Sequence, residues 1–136
     1  MIIELEETFY VGKDSYYSSI SPANTYGVTF EDDLTTGYFY AVETKPDLFV
    51  LDGLHIYNVD DVLHKDQSRK LQIIWTEDGL IASLLLNGYC HAVFDFKEKA
   101  GYCRNGFPEN KSGWTQNSNR ELTDELIEKK FNSFTL

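Results

Sequence analysis

Two glycine-containing dipeptides, Asp78-Gly79 and Asn87-Gly88, divide residues 71–104 into short segments in which apolar and polar residues alternate. Alternation with a period of two is typical of strands with one buried face. Asp-Gly and Asn-Gly are strong signals for tight type I′ hairpin turns, in which both central residues adopt positive φ. The segment therefore predicts an antiparallel meander of three or four strands.

A second hairpin is predicted upstream, where residues 25–31 and 37–43 alternate on either side of the polar stretch "DDLTT". In the second of these strands, the two tyrosines of "GYFYA" share one face and the phenylalanine between them takes the other. The turn of this hairpin holds Asp32 and Asp33.

Residues 48–59 predict a further strand that is kinked or broken at Asp52-Gly53. A glycine inside a strand often marks a bulge or a close backbone approach. The polar connector that follows predicts a single helical turn. At the start of the chain, residues 1–19 predict a strand followed by a loop that contains tyrosines.

The C-terminal segment predicts one amphipathic helix. Ser118 and Glu121 have the spacing of a capping box, and four apolar residues fall on one helical stripe. These four residues are Leu122, Leu126, Ile127 and Phe131. The stretch before the helix, residues 105–119, is rich in Gly, Pro, Asn and Ser and predicts a loop, which Trp114 is expected to pin.

The predicted fold class is α+β, a predominantly antiparallel β-sheet meander packed against a C-terminal helix. A chain of 136 residues with 42% hydrophobic residues can bury a core of its own. Residues 1–136 are therefore expected to form a single domain.

Segment lengths and cysteine usage predict a cytoplasmic protein that does not enter a membrane. No apolar stretch approaches the roughly 18 residues of a spanning helix, and the N-terminus lacks the features of a secretory signal. Cys90 and Cys103 are too few for a disulfide framework and lack the spacing of a zinc site. Reduced, partly buried thiols are expected, which suits the cytoplasm.

The net charge of −10 is concentrated in the first half of the chain. Residues 1–68 carry 13 acidic residues against 3 lysines, whereas residues 69–136 carry 9 acidic and 9 basic residues. A lopsided acidic field opposes binding to phosphate backbones and favours a cationic partner. The same charge also favours plain solubility, and the sequence leaves both interpretations open.

No pattern in the sequence predicts a catalytic or metal site. His55, His64 and His91 show no metal-ligand spacing, so hydrogen-bonded structural roles are favoured for each. Cys90 and His91 are strand neighbours that point to opposite faces and cannot easily share a ligand. Phosphate-loop, dinucleotide and serine-hydrolase motifs are absent. We expect a protein without enzymatic activity, cofactor or bound metal.

The acidic stretch of the upstream hairpin has several interpretations, of which a solvated turn is the simplest. Glu31, Asp32 and Asp33 lack the spacing of an EF-hand calcium loop. As part of a glycosidase pair they would need an opposing carboxylate such as Glu43 or Asp52. Next to tyrosines, they are suited to bind Lys and Arg through charge-assisted hydrogen bonds and cation-π contacts. The predicted contact residues are Glu31, Asp32, Asp33, Tyr38, Tyr40, Asp60 and Asp61.

Four strings within residues 30–108 resemble a family of small bacterial proteins whose members include immunity proteins of contact-dependent growth inhibition systems. The strings are "FEDDLTTGYFYA" (30–41), "LDGLHIYNV" (51–59), "IIWTEDGLIASLLLNGYCHAVFDF" (73–96) and "GYCRNGFP" (101–108). The likeness is greatest to neisserial members. These strings are sequences typical of strands and turns, and they contain no catalytic motif.

The resemblance implies a cytoplasmic antidote that binds the C-terminal toxin domain of a large exported effector and blocks it. For this group the implied toxin is an EndoU-type ribonuclease, and the implied fold is Whirly-like, with antiparallel sheets packed against helices. The resemblance names no contact residue. A nuclease with a cationic cleft would suit an acidic partner.

Two other functions remain open from the sequence. One is a small ligand-binding or enzymatic β-rich domain that uses His55, His91 or an acidic pair in a sheet cleft. The other is a Whirly-like nucleic-acid-binding protein, which the net charge of −10 opposes. The sequence does not indicate an oligomeric state.

Overall fold

The computed structural model describes residues 1–109, 114 and 119–132, and the strands of this part of the chain form two antiparallel sheets. The five-stranded sheet contains, in spatial order, β1 (Ile2–Phe9), β6 (Arg69–Trp75), β7 (Ile81–Leu86), β8 (Tyr89–Asp95) and β9 (Ala100–Cys103). The four-stranded sheet contains β2 (Ser15–Ile20), β3 (Tyr26–Asp32), β4 (Thr36–Glu43) and β5 (Phe49–Asn58). A short 3-10 turn, Val59–Asp61, follows β5, and the helix α1 spans Asp124–Asn132.

The predicted meander is confirmed as the four consecutive strands β6 to β9. At the β7–β8 turn Asn87 and Gly88 adopt φ values of 51° and 79°, as a type I′ turn requires. The expectation of two positive φ values is wrong at the other dipeptide, where only Gly79 has one, at 71°. There the Asp78 carboxylate accepts hydrogen bonds from the Thr76 hydroxyl and the Leu80 amide, which stabilise a different turn.

The upstream hairpin is confirmed as β3 and β4, which pair from Tyr26 opposite Glu43 to Asp32 opposite Gly37. Val28, Phe30 and Phe39 on its inward face are fully buried, and Phe39 stacks on Phe94 of the other sheet at 5.3 Å between ring centroids. The outward residues are the two tyrosines of β4, so the predicted division of faces is correct.

The predicted kink in the next strand is a β-bulge within one continuous strand, β5. Asp52 lies opposite Ala41, but Val50 lies opposite Val42, so Leu51 is an additional residue on the β5 side. The single helical turn expected after this strand is also confirmed, as the 3-10 turn Val59–Asp61.

The N-terminal prediction is half correct, because β1 is a strand but the expected tyrosine loop is the strand β2. β2 pairs with β3 along its whole length. Its inward Ser19 accepts a hydrogen bond from the indole Nε1 of Trp75, at 3.0 Å, in the buried space between the sheets. A strand whose inward face carries a serine lacks the apolar alternation by which strands are recognised.

The core lies between the two sheets, where large aromatic and aliphatic side chains from both inner faces interlock. Phe30, Phe39 and Leu54 of the four-stranded sheet are fully buried, as are Trp75 and Phe94 of the five-stranded sheet. Trp114 packs edge-on against Phe94 and Phe96, so its predicted anchoring role is confirmed. Residues 110–113 and 115–118 of the predicted loop lie outside the described part of the chain.

The helix α1 covers the second face of the five-stranded sheet, as the sequence predicts. A small cluster there combines strand residues with the predicted helical stripe and Leu122 just before the helix. Its members include Ile81, Val93, Leu122, Leu126, Ile127 and Phe131. The predicted capping box is wrong, because the helix begins at Asp124 and the Thr123 hydroxyl accepts the hydrogen bond from the Leu126 amide. Ser118 lies outside the described residues.

Lys130 fixes the C-terminal turn of α1 to the β8–β9 connection. Its ammonium group lies 2.6 Å from the Asp95 carboxylate and 2.7 Å from that of Glu98. Helix α1 thus occupies one side of the molecule. The α+β class with predominantly antiparallel sheets and a C-terminal helix is confirmed.

Candidate functional site

The outer face of the four-stranded sheet, on the side opposite the core, carries two rows of side chains in register. Tyr16, Glu31, Tyr38 and His55 lie directly opposite one another across β2, β3, β4 and β5. The next row consists of Ser18, Thr29, Tyr40 and Gly53. Cross-strand neighbours of this kind have Cβ atoms about 4.5–5.5 Å apart, so each row is a continuous surface.

Aromatic rings dominate this surface. Tyr38 stacks on Tyr40 with 5.7 Å between ring centroids, and its edge meets the His55 ring at 5.5 Å. Phe107, from the segment after β9, packs edge-on against His55 and is 54% exposed. Tyr16 at the other end is 60% exposed. We call Tyr16, Glu31, Tyr38, Tyr40, His55 and Phe107 the aromatic face.

Gly53 allows the two central tyrosines to lie close to the backbone of β5. A Cβ atom at this position would lie 3.2 Å from the Tyr40 ring and 3.7 Å from the Tyr38 ring. The close approach that the sequence predicted at Asp52-Gly53 is therefore confirmed, and its cause is an aromatic ring rather than another strand.

His55 is held by hydrogen bonds on both ring nitrogens. The Asn105 side-chain oxygen accepts from the Phe107 amide, so the Asn105 amide nitrogen faces His55 Nδ1 and donates to it at 2.8 Å. Nε2 then carries the ring proton and donates to the Asn58 oxygen at 2.9 Å. This network assigns the neutral Nε2–H tautomer and agrees with the predicted structural role of His55.

Glu31 is the carboxylate at the centre of the aromatic face. It is half-buried between Tyr16 and Tyr38, and no hydrogen-bond donor or cation within residues 1–109, 114 and 119–132 contacts it. The pKa of the Tyr40 hydroxyl is raised, first by burial and then by the charges of Glu31 and Asp33. The local field is therefore negative.

Asp33 lies exposed in the β3–β4 turn beside this face. Its carboxylate accepts hydrogen bonds from the Thr36 and Thr35 amides, which lower its pKa and keep it ionised. Asp60 and Asp61 are exposed in the 3-10 turn. The Val59 amide donates to the Thr35 carbonyl, so the fold brings these three carboxylates to one end of the sheet.

Asp32 is not a surface residue, and the expectation of a solvated turn is wrong for it. It ends β3, is fully buried and accepts hydrogen bonds at 2.8 Å from the Gly12 amide and 2.6 Å from the Tyr57 hydroxyl. The Leu34 amide donates to its other oxygen. Strand alternation explains the difference, because β3 points its even-numbered residues inward from Val28 onward.

The two carboxylates considered as partners in a glycosidase pair, Asp52 and Glu43, bind other groups of the protein. Asp52 points inward and forms a buried ion pair with Arg120, with 2.6 Å between the guanidinium nitrogen and the carboxylate oxygen. Glu43 accepts hydrogen bonds from the Thr25 hydroxyl and the Thr44 amide. The structure brings neither of them across a cleft from Asp33.

His91 and Cys90 lie in β8 of the five-stranded sheet, whereas Cys103 is buried at the end of β9 and its thiol contacts the Phe107 carbonyl. Burial lowers the pKa of His91 to about 4, and the Arg104 guanidinium adds to the effect. Burial raises the pKa of the Cys90 thiol to about 11 and also raises that of Cys103. Both cysteines are free thiols, as predicted. Within the described residues, no three His, Cys, Asp or Glu side chains converge as a metal site would require.

A cleft of about 380 Å³ lies on the other side of the molecule, beside α1. It is lined by acidic and basic side chains together, including Asp95, Glu98, Lys97 and Lys129. Lys130 in the same cleft joins Asp95 to Glu98. The Lys130 ion pairs fix the helix to the sheet, and the cleft as a whole presents no field of one sign.

Sequence reasoning found the tyrosines of β4 and the exposed acidic residues, but it missed Tyr16, His55 and Phe107 as parts of the same surface. Tyr16 was missed because the segment that forms β2 was predicted to be a loop. His55 and Phe107 are 52 residues apart in the sequence, and only the fold brings them together. The Tyr-x-Ser alternation at residues 16–18 is the signal that would have revealed β2.

Comparisons with known proteins give one family and one relative. A family model described as "Uncharacterized protein conserved in bacteria (DUF2251)" matches residues 9–131. An uncharacterised protein of Haemophilus influenzae is 39% identical over 130 residues, which cover 93% of this chain and 79% of that protein. No solved structure matches the chain. In the described residues, no helix is long and apolar enough to cross a membrane.

Proposed function

This chain belongs to the bacterial family DUF2251, and from that premise we propose that it is a cytoplasmic immunity protein that binds a nuclease toxin domain. The partner is the one that the sequence resemblance implies, the EndoU-type ribonuclease domain of a contact-dependent growth inhibition effector. The protein acts by occluding the active site of the toxin and performs no catalysis of its own. It needs no cofactor for this role.

The aromatic face is the observation that carries the proposal. A sheet surface that no other described element covers, with large rings around a carboxylate that no described donor contacts, has the composition of a protein-binding site, because tyrosine is a favoured interface anchor. A nuclease cleft that binds RNA is cationic. Glu31 and the neighbouring Asp33 therefore offer such a cleft charge complementarity, which raises the association rate and the specificity of binding.

The contact residues of this proposal differ from the sequence-based set at one position. Glu31, Asp33, Tyr38, Tyr40, Asp60 and Asp61 remain the proposed contacts. Asp32 supports them from inside the fold, because its carboxylate binds the Gly12 and Leu34 amides. Tyr16, His55 and Phe107 extend the surface at its two ends.

Charge reversal tests the proposal in the complete protein. The double variant Glu31→Lys and Asp33→Lys should slow association with the purified toxin domain by about tenfold or more and reduce its salt dependence. The matched control, Glu4→Lys and Glu128→Lys, changes the net charge equally at exposed positions outside the aromatic face. It should change the rate much less. Stopped-flow fluorescence at several salt concentrations provides the measurement.

Growth of cells that produce the toxin domain supplies the second readout. Co-expression of the wild-type chain should restore growth, and the Glu31→Lys, Asp33→Lys variant should restore it less. Continued inhibition in the presence of well-folded wild-type protein would refute the immunity function. Equal association rates for the two double variants would remove the aromatic face from the interface.

A second candidate function is binding of single-stranded nucleic acid, which the exposed rings favour. Bases stack on aromatic side chains of antiparallel sheets, and the implied Whirly-like fold, still a prediction, would fit this role. Phosphate groups, however, would face Glu31 and Asp33 without a compensating Lys or Arg among the six residues of the aromatic face. Charge therefore makes the nuclease the preferred partner.

A further inference from the structure

Glu31 differs from the other shielded carboxylates of the two sheets in having no partner within the described residues. Asp32 accepts hydrogen bonds from two amides and a hydroxyl, Asp52 binds Arg120, and Asp95 binds Lys130. Glu31 is partly exposed, so its carboxylate can accept hydrogen bonds from a donor outside the chain without competition from any described residue.

We propose that Glu31, with Tyr16 and Tyr38 on either side, is a receptor for one arginine side chain of a partner protein. The inference deepens the proposed function, and rests on it for its biological partner, by naming what the toxin domain presents to the aromatic face. Glu31 accepts two parallel hydrogen bonds from the guanidinium group. The tyrosine rings pack against the guanidinium plane.

The register of the strands gives the receptor its shape. Glu31 lies directly opposite Tyr16 on one side and Tyr38 on the other. Its carboxylate therefore emerges between two rings. Tyr40 stacks on Tyr38 with an interplanar angle of only 18°, so the two rings together present nearly parallel planes. No hydrogen bond from the described residues engages the hydroxyls of these three tyrosines.

Arginine fits this arrangement better than lysine does. The guanidinium group is planar, stacks on aromatic rings and donates two parallel hydrogen bonds to a carboxylate. An ammonium group is a compact, strongly hydrated charge that forms no such paired contact. A tyrosine ring next to one carboxylate therefore favours a planar cation over a compact one.

Gly53 keeps the rings in position from below. Because it has no side chain, Tyr40 and Tyr38 lie against the backbone of β5. A methyl group at Gly53 would lie 3.2 Å from the Tyr40 ring, so the ring would have to move by a few tenths of an ångström. Its backbone φ is not positive, so alanine is compatible with the strand. Gly53→Ala thus shifts the rings and removes no polar group.

An NMR titration of the complete protein with N-acetylarginine amide tests the receptor, and N-acetyllysine amide serves as the competing probe. We expect the arginine probe to shift the ring signals of Tyr16, Tyr38 and Tyr40 and the carboxylate signal of Glu31. Its affinity should exceed that of the lysine probe several-fold. Glu31→Gln should weaken arginine binding about tenfold, and the exposed control Glu128→Gln should leave it unchanged.

Gly53→Ala provides an independent variant that retains Glu31. It should weaken binding of the arginine probe with no change in net charge, and circular dichroism would verify its fold. Equal affinities for the two probes, shifts scattered over the acidic surface, or unchanged binding by Glu31→Gln would each overturn the receptor.

The two proposals fail in different experiments. The wild-type chain could protect toxin-producing cells and yet fail to bind the arginine probe. That result would overturn the arginine receptor but not the immunity function. Specific binding of the arginine probe at Glu31 by a chain that gives no protection would support the receptor. That second result would refute the immunity function.

Discussion

At the residue scale, neighbouring aspartates in one hairpin have opposite environments. Asp32 is fully buried and binds the Gly12 amide and the Tyr57 hydroxyl, whereas Asp33 is exposed and binds amides of its own turn. The Tyr57 hydroxyl has a raised pKa, first because it is buried and then because it donates to Asp32. Asp32 is thus a structural centre that joins the β1–β2 connection, β3 and β5.

Replacement of these two aspartates by asparagine should separate their roles. Asp32→Asn places an amide NH2 among buried donors and should lower the free energy of unfolding by about 2–3 kcal/mol. Asp33→Asn keeps an acceptor in an exposed turn and should leave stability nearly unchanged. Urea denaturation of both variants provides the measurement. Equal losses would show that the buried network around Asp32 contributes little.

At the element scale, two turns that look alike in sequence have different surroundings. Gly88 has open space around the position of a Cβ atom, whereas a Cβ atom at Gly79 would lie 2.3 Å from the Ser21 hydroxyl and 2.7 Å from Ala23. The Gly79 carbonyl accepts hydrogen bonds from Ser21 and Asn24. The β6–β7 turn is therefore a contact between the two sheets, and the β7–β8 turn is only a hairpin.

Alanine substitution at the two glycines should measure this difference. Gly88→Ala should cost about 1 kcal/mol, because a Cβ atom is strained at positive φ. Gly79→Ala has the same strain and also displaces the β2–β3 connection, so it should cost about 3 kcal/mol. Thermal unfolding of the pair tests the expectation. Similar unfolding temperatures for the two variants would mean that the β2–β3 connection near Ser21 and Ala23 moves to accommodate the methyl group at little cost.

At the scale of the whole molecule, the acidic half of the sequence supplies all of the four-stranded sheet and one strand, β1, of the five-stranded sheet. The four-stranded sheet lies entirely within residues 1–68, which hold the full charge excess of −10. Helix α1 lies on the outer face of the other sheet, within the half whose acidic and basic residues balance. Five of the six residues of the aromatic face therefore belong to the acidic half of the chain, and the sixth, Phe107, comes from the balanced half.

RNA binding at low salt should distinguish the two candidate partners. The wild-type chain should retain essentially no single-stranded RNA in a filter assay, because Glu31 and the neighbouring Asp33 are negative and the aromatic face carries no Lys or Arg to pair with phosphate groups. The Glu31→Lys, Asp33→Lys variant should gain salt-sensitive retention through the same rings. Retention by the wild type that weakens as salt rises would favour the nucleic-acid function instead.

The predictions from sequence succeeded where the signal is local. Asn87-Gly88 specified a type I′ turn because the turn depends on two residues alone. The faces of β4 followed from alternation, and the helical stripe followed from its period. The capping box failed because several residues compete to start a helix, and Thr123 lies one turn beyond the predicted cap.

The sequence by itself determined the strands with apolar inner faces, the hairpins, the C-terminal helix and the uneven charge. Tertiary structure alone decided which carboxylates are accessible and which aromatic residues share a surface. Asp32 and Asp33 are adjacent acidic residues in the sequence of one hairpin. Only packing against Gly12 and Tyr57 buries Asp32 and leaves Asp33 exposed. Tyr16 and Tyr38 share one face because strand pairing aligns β2, β3 and β4, and Phe107 joins them by packing on His55.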